Sequence, residues 1–363
     1  MIKQQDKIYL FLSCLEVSYK KAEIILSMYS DYNLLSKDIK NGRKELYEIF
    51  GKNFDKVKEK QNVFNFDVLE KYFERKNITI LTLVNDDYPE KLRYIDQPPL
   101  VLYAKGDLSL LKSDSIAIVG ARVPSFYGKD VTSLFSKKLA ENGLTIISGL
   151  AMGVDKIAHE SCLEVGGKTI AVLGNGFEHM YPALNVQLAN QIEKNGLLIT
   201  EFYPTFKATS YSFPARNRII AGLSKAVLLT EASEKSGSLY TRDFALEYGK
   251  EVFVVPGNIT SSKSAGTNAT IKAGQGQCVT SPEDILKILN IEFSVKKQKT
   301  FELSIDEQII VNCLSDGEKS FDYLQEKTKL LPKTLNYCLT TMQIREIIKK
   351  LPGNLYSANL EAK

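Results

Sequence analysis

The sequence predicts an α/β protein built on a mostly parallel sheet, preceded by a helical segment and followed by a small winged-helix unit. Seven short β-branched runs recur between Ser115 and about Leu289: "SIAIVG", "LTIISG", "KTIAVLG", "LLITEF", "AVLLTEA", "EVFVVPG" and "GQCVTS". They are apolar on both faces and alternate with segments of helical length, the pattern of a parallel sheet covered on both sides. The glycine-rich and polar residues gather at the carboxyl ends of these runs, where sheets of this kind bind ligands.

Taken in order, the segment from Asp6 to about Lys76 reads as helices. Apolar residues recur there at steps of three and four, as in "IYLFLSCLEVSYKKAEIILSMY" and "NFDVLEKYFERK", with glycine and proline nearly absent. A connector follows, punctuated by Pro89, Pro98 and Pro99, and is expected to contribute an edge strand and a turn. Beyond the sheet, "EFSVKKQKT" is polar and basic and reads as a linker. The last stretch reads as three short helices and a hairpin, "EIIKKLPGNLYS", turning at Pro352 and Gly353. The expected domains are a helical, SAM-like one over 1–84, the sheet domain over 85–290, a linker over 291–300 and a winged helix over 301–363.

Composition excludes several classes. A net charge of +4 on 363 residues means that an electrostatic partner needs a local patch, not a global field. Cys14, Cys162, Cys278, Cys313 and Cys338 are odd in number and form no C-x-x-C pair, and only two histidines accompany them. That argues against a zinc site and for reduced thiols in a cytoplasmic protein. The amino-terminal apolar stretch is too short and too charged for a signal peptide. No run approaches the roughly 20 apolar residues of a membrane span, so no membrane partner is expected. The second and third glycines of G-x-G-x-x-G are missing after "SIAIVG", and no G-x-x-x-x-G-K-[ST] occurs, so no dinucleotide, ATP or metal cofactor is expected.

The candidate site lies on the carboxyl edge of the sheet. Gly120 ends the first strand and Arg122 follows it. A guanidinium there is either a surface group or, as the neighbouring backbone N–H groups favour, a bidentate phosphate ligand. Ser125 is placed to cap the next helix, whose positive end suits an anion. In "SGLAMGVDKIAHE", Asp155 and His159 are four apart on a helix, either an acid/base pair or a hydrogen bond that orders the turn. In "SFPARNRIIAGL", Phe213, Arg216, Asn217 and Arg218 open a helix; they are either salt-bridged at its N-terminus or, as the helix dipole's disfavour of arginine there argues, gathered around an anion with a stacked base. Ser236, Gly237 and Ser238 open another helix with hydroxyl and N–H donors. Glu231, at a strand end, is the carboxylate best placed for catalysis.

The motifs "IAIVGARVPSFYG", "SGLAMGVDKIAHESCL", "GGKTIAVLGNGFEHMYPALNVQL", "FPARNRIIAGLS", "EASEKSGSL" and "EVFVVPGNI", in this order, resemble the DNA-processing protein A family, DprA or Smf. The likeness covers about Tyr88 to Leu286 and is weaker in the helical segment and the winged helix. It implies an extended Rossmann-like, doubly wound domain that binds single-stranded DNA without sequence preference. It also implies a homodimer that loads the RecA recombinase onto incoming strands in natural transformation, with no catalysis. On this resemblance Arg122 matches the arginine of a G-[SA]-R motif that contacts phosphate, and Phe213, Arg216, Asn217 and Arg218 match an F-P-x-R-N-R segment lining the same pocket. The chain departs from the family pattern at "YPALN", where a lysine is usual, and at "GTNATI". It also has Ser210 where a basic residue often stands, with Lys207 nearby. The rival reading is a Rossmann-like nucleotide-binding or nucleotide-hydrolysing enzyme that uses Arg216 and Glu231, although the "SGS" turn lacks the glycines of P-G-G-x-G-T. A third reading is an interaction scaffold with the winged helix contacting protein.

Overall fold

The computed structural model describes residues 2–292 and 303–358. It divides into two compact units, Met1–Ile291 and Glu292–Lys363. The linker expected over 291–300 lies, from residue 293 on, outside the described residues.

The first unit begins with helices α1 (Asp6–Cys14), α2 (Tyr19–Met28), α3 (Tyr32–Asn41), α4 (Lys44–Phe50), α5 (Phe54–Val63) and α6 (Phe66–Arg75). Asp31 and Asn65 cap α3 and α6 by accepting from the first free backbone N–H groups. The apolar stripes of these helices close a core around Ile8, Phe11, Leu35, Ile39, Leu46 and Phe54.

The nine-stranded sheet contains β1 (Thr79–Thr82), β2 (Val101–Gly106), β3 (Ser115–Val119), β4 (Thr145–Ser148), β5 (Thr169–Val172), β6 (Leu197–Thr200), β7 (Ala226–Leu229), β8 (Glu251–Val254) and β9 (Gln277–Cys278). Its order is β1-β2-β6-β5-β4-β3-β7-β8-β9. Every pair from β6 to β9 along that order is parallel. The connector supplies β1 and β2, which pair antiparallel and extend the β6 edge. This is the parallel sheet covered on both sides that the apolar runs predicted, in the doubly wound, Rossmann-like arrangement that the resemblance implied.

The helical layer does not stand apart from the sheet. Leu10, Leu69 and Phe73 pack with Val101 and Tyr103 of β2. The buried carboxylate of Asp6 accepts from Thr82 Oγ1 at 2.7 Å and Asn85 Nδ2 at 2.8 Å.

The remaining helices of this unit are α7 (Glu90–Arg93), α8 (Phe126–Glu141), α9 (Val154–Glu164), α10 (Val186–Asn195), α11 (Ser212–Leu223), α12 (Ser238–Glu247), α13 (Ala265–Lys272) and α14 (Pro282–Ile288). Alternate strand residues face opposite layers. Ala117, Val119, Val227 and Leu229 pack with α7, α11 and α12, whereas Ala171, Leu173 and Leu198 pack with α10. That two-sided demand is why the strands read as unbroken apolar runs. The chain winds from β3 towards β6 on one side and from β7 to β9 on the other, so the topology switches between β3 and β7. There Val119 is level with Leu229, and the two following loops leave the sheet side by side.

The second unit holds α15 (Ile305–Leu314), β10 (Lys319–Ser320), α16 (Phe321–Thr328), α17 (Pro332–Ile344), β11 (Ile348–Leu351) and β12 (Leu355–Ala358). A capping box between Ser304 and Glu307 starts α15, and Pro332 starts α17. The expected hairpin is β11–β12, with Pro352 and Gly353 in its turn. β10, which the sequence did not signal, completes an antiparallel sheet ordered β10-β12-β11.

Candidate functional site

At the switch point the chain must turn sharply after β3. A Cβ on Gly120 would lie 2.7 Å from Val154 Cγ2 and 2.8 Å from the Glu231 carbonyl oxygen, so no side chain fits. Ala121 N–H donates to that carbonyl at 2.7 Å, and Val154 N–H donates to the Ala121 carbonyl at 3.1 Å. These bonds anchor the backbone from which Arg122 projects. Arg122 is exposed, and no carboxylate pairs with it among the described residues. Its guanidinium lies over the Phe213 ring, 5.5 Å from the centroid, within cation–π range.

Phe213, Arg216 and Asn217 share one face of α11 because they are three and four residues apart. Arg216 is buried and donates through Nη1 to the carbonyls of Gly149 and Val172, at the ends of β4 and β5. A Cβ at Gly149 would strike the guanidinium, so glycine there makes the room. Arg216 Nε donates to Asn217 Oδ1 at 3.1 Å, and Asn217 Nδ2 donates to the Gly237 carbonyl at 3.3 Å. Burial pulls the Arg216 pKa down to about 10, against the pull of nearby Asp155, so it remains a cation at neutral pH. Burial likewise raises the Asp155 pKa, which Arg216 and the N–H groups of Ala151 and Gly149 oppose.

These elements surround a cleft of about 690 Å³. Among its walls are Gly120, Arg122, Phe213, Arg216, Asn217, Ser236, Gly237 and Ser238, eight of the residues that the sequence nominated. Four cations, Arg122, Arg216, Lys235 and Lys263, face it against one carboxylate, Asp155. The local positive patch that the near-neutral composition required is therefore present.

Three nominated residues lie elsewhere. Arg218 is on the other side of α11, ion-paired with Glu201 in a hollow lined by Phe202, Tyr203 and Phe206. Lys207 is exposed on the loop before α11 and does not line the cleft. Ser125 caps α8, accepting from Gly128 N–H at 3.0 Å, and gives its own hydroxyl to Glu231 at 2.5 Å. Sequence reasoning missed Lys235, Lys263 and Tyr240, which all line the cleft. Lys235 immediately precedes the nominated Ser236, and that adjacency was the available signal.

The groups that suggested catalysis do not converge. Glu231 is buried and takes both the N–H and the hydroxyl of Ser125, lining a separate hollow with Tyr127 and Pro256 while Arg216 faces the cleft. Asp155 and His159 do not bond to each other. Asp155 accepts from Gly149 N–H at 3.1 Å and Ala151 N–H at 3.4 Å, and His159 Nδ1 meets Thr169 Oγ1 at 2.7 Å. Neither an acid/base pair nor an Asp155–His159 hydrogen bond forms; Asp155 orders the turn through the backbone, and His159 bonds to Thr169. Among the described residues no group of three or more His, Cys, Asp or Glu is set to hold a metal, and no helix is long and apolar enough to cross a membrane.

Residues 79–290 match the family model for DNA recombination-mediator protein A. The chain belongs to this family. The match runs from β1 to just past α14 and so contains the whole cleft. DNA processing protein DprA of Bacillus subtilis is 41% identical over 226 residues, 61% of this chain and 76% of that protein. The X-ray structure of DNA processing protein A from Streptococcus pneumoniae shares 33% identity with a TM-score of 0.62, covering 81% of this chain and 95% of that one. A structure of DNA processing protein A from Helicobacter pylori, which concerns its single-stranded DNA binding mode, shares 33% identity with a TM-score of 0.55. It covers 60% of this chain and 97% of that one. As a member of the DNA recombination-mediator protein A family, the chain has a DNA-processing, recombination-mediating role.

Proposed function

We propose that the chain binds single-stranded DNA in the cleft at the β3–β7 switch point, protects the strand and loads the RecA recombinase onto it during transformation or recombination. The observation that carries this reading is Arg122: an exposed guanidinium with no carboxylate partner among the described residues, held over an aromatic ring in a cleft lined mostly by cations among its charged groups. Such a group forks onto phosphate while the ring offers a face to a base, which suits an unpaired strand and is indifferent to sequence. Arg216 supplies a fixed positive floor, and Ser236 and Ser238 bring hydroxyls to the start of α12. The Helicobacter pylori relative's single-stranded DNA binding supports the same assignment.

The proposal includes homodimerisation, a cytoplasmic location and action without cofactor or catalysis. Separation of Glu231 from Arg216 supports binding over hydrolysis. The second unit is proposed to be a winged helix. Its outer α17 face carries the exposed Tyr337 and Ile344 with Lys333, which favours protein contact over a duplex groove.

Titration of labelled oligo-dT and of a duplex of equal length tests the reading. Tighter binding of the single strand, weakened by salt, is expected; equal affinity for the two forms at moderate salt overturns it.

A further inference from the structure

We infer that Tyr240 is a second base-stacking platform, so that the cleft grips a strand by two bases and not by one. The inference rests on the strand-binding reading above and adds a residue that this reading does not use. Tyr240 lies in the first turn of α12 and lines the same cleft as Phe213. It is 55% exposed. Its hydroxyl makes no hydrogen bond and its ring meets no other aromatic ring among the described residues. No hydrogen bond or ring contact among the described residues therefore accounts for an aromatic residue there, and about half of it is open to a ligand.

The placement along the sheet edge is what gives the ring a distinct task. Phe213 packs over Gly174, just beyond β5, where a Cβ would lie 2.9 Å from its Cδ1. Tyr240 belongs to the helix that follows β7. The ends of β4 and β3 lie between β5 and β7, so the two rings belong to different parts of the sheet edge. Two rings on separate helices of one cleft can each take a base of an extended strand. Cations mark both ends of the span: Arg122 stands over Phe213, and Lys235 lies on the turn that leads to Tyr240. Lys235 is exposed and pairs with no carboxylate among the described residues. Lys263 also lines the cleft, its Nζ donating to the Val123 carbonyl at 3.0 Å. Phosphates would pass over these cations while bases turn to the rings.

The absence of tryptophan from the sequence supplies the probe. In the full chain, Tyr240→Trp creates a single tryptophan whose emission should be quenched as unlabelled oligo-dT saturates the protein. Tyr94→Trp, at a position 80% exposed and outside the cleft, should stay unchanged. Tyr240→Ala should weaken oligo-dT binding roughly tenfold, within the range for one stacked base, and Tyr240→Phe should keep the affinity. On an abasic strand of the same length the Tyr240→Ala effect should vanish, because no base remains to stack; a fold defect would persist there. Unquenched emission from the Tyr240→Trp protein at saturation, or wild-type affinity in a folded Tyr240→Ala protein, overturns the second platform while leaving the cleft intact. A wild-type chain that does not bind oligo-dT overturns the strand-binding reading itself, and this inference with it.

Discussion

The guanidinium of Arg122 and the ring of Phe213 form one composite surface, with 5.5 Å between the cation and the ring centroid. A charge for phosphate and a face for a base are thereby held together by residues 91 positions apart in sequence. Arg122→Ala should weaken single-strand binding by roughly 1.5–3 kcal/mol, the range for a charge-assisted hydrogen bond. Arg122→Lys should recover part of the loss, because a point charge cannot fork onto two phosphate oxygens. The slope of log K against log salt should become shallower by about 0.7 in the alanine variant. Wild-type affinity with an unchanged slope in a folded Arg122→Ala protein rejects the site.

Arg216 and Arg218 should not behave as a pair. Arg218→Ala removes a shielded partner of Glu201 on the far side of α11 and should lower Tm while leaving the affinity of the folded protein for oligo-dT within about twofold, since no phosphate contact is lost. Arg216→Ala removes the positive charge that offsets the burial of Asp155, along with the donor to two strand-end carbonyls, and should destabilise the first unit by roughly 3–5 kcal/mol. Thermal unfolding alongside oligo-dT titration separates these outcomes. A tenfold affinity loss in a stable Arg218→Ala protein would put Arg218 back in the strand's path.

The sheet was legible in the sequence because each strand from β3 to β8 must satisfy two apolar layers, which leaves little freedom in its composition. The cleft was legible for a related reason: the glycines at 120 and 149 mark places where backbone or guanidinium crowds the chain. The destination of Arg218 was less obvious, although helix geometry contained it. Residues advance about 100° each around a helix, so Arg216 and Arg218 point roughly 200° apart and cannot both face one cleft. His159 misled differently, since its four-residue spacing from Asp155 fits a helical pair but says nothing of Thr169 on the adjacent strand. Lys263 was illegible because its contact with the Val123 carbonyl joins loops 140 residues apart.

Gly149→Ala tests the crowding around Arg216 directly. The added Cβ falls within the guanidinium, which has carbonyls on two sides and Asp155 close by, so neither group can yield cheaply. The variant should lose about 2 kcal/mol or more of stability, as overpacked cores do. Gly237→Ala, whose Cβ would meet nothing within 4 Å, should be tolerated. Denaturant midpoints for the two variants check the contrast, and equal midpoints would show that Arg216 can move aside.

The buried imidazole of His159 sets the last expectation. Thr169 Oγ1 gives its proton to the Ile146 carbonyl at 2.7 Å, so His159 Nδ1 must be the donor in its bond to Thr169. Nε2 is then a buried lone pair with no hydrogen-bond partner among the described residues. Burial, reinforced by the charge of Arg216, pushes the His159 pKa down to about 3 from its ordinary 6.5. Between those values the unfolded chain binds a proton that the folded chain refuses, so stability rises with pH there. The neutral imidazole costs nothing above pH 6.5, and its penalty grows as pH falls towards 3, by up to about 1.4 kcal/mol per pH unit. His159→Asn keeps an N–H donor for Thr169 but cannot take up the proton. It should lower Tm at pH 7.5 through lost packing, and flatten the fall of Tm between pH 6 and pH 4. Calorimetric scans of both proteins across that range check this, and an equally steep fall in the variant would assign the acid sensitivity to other groups.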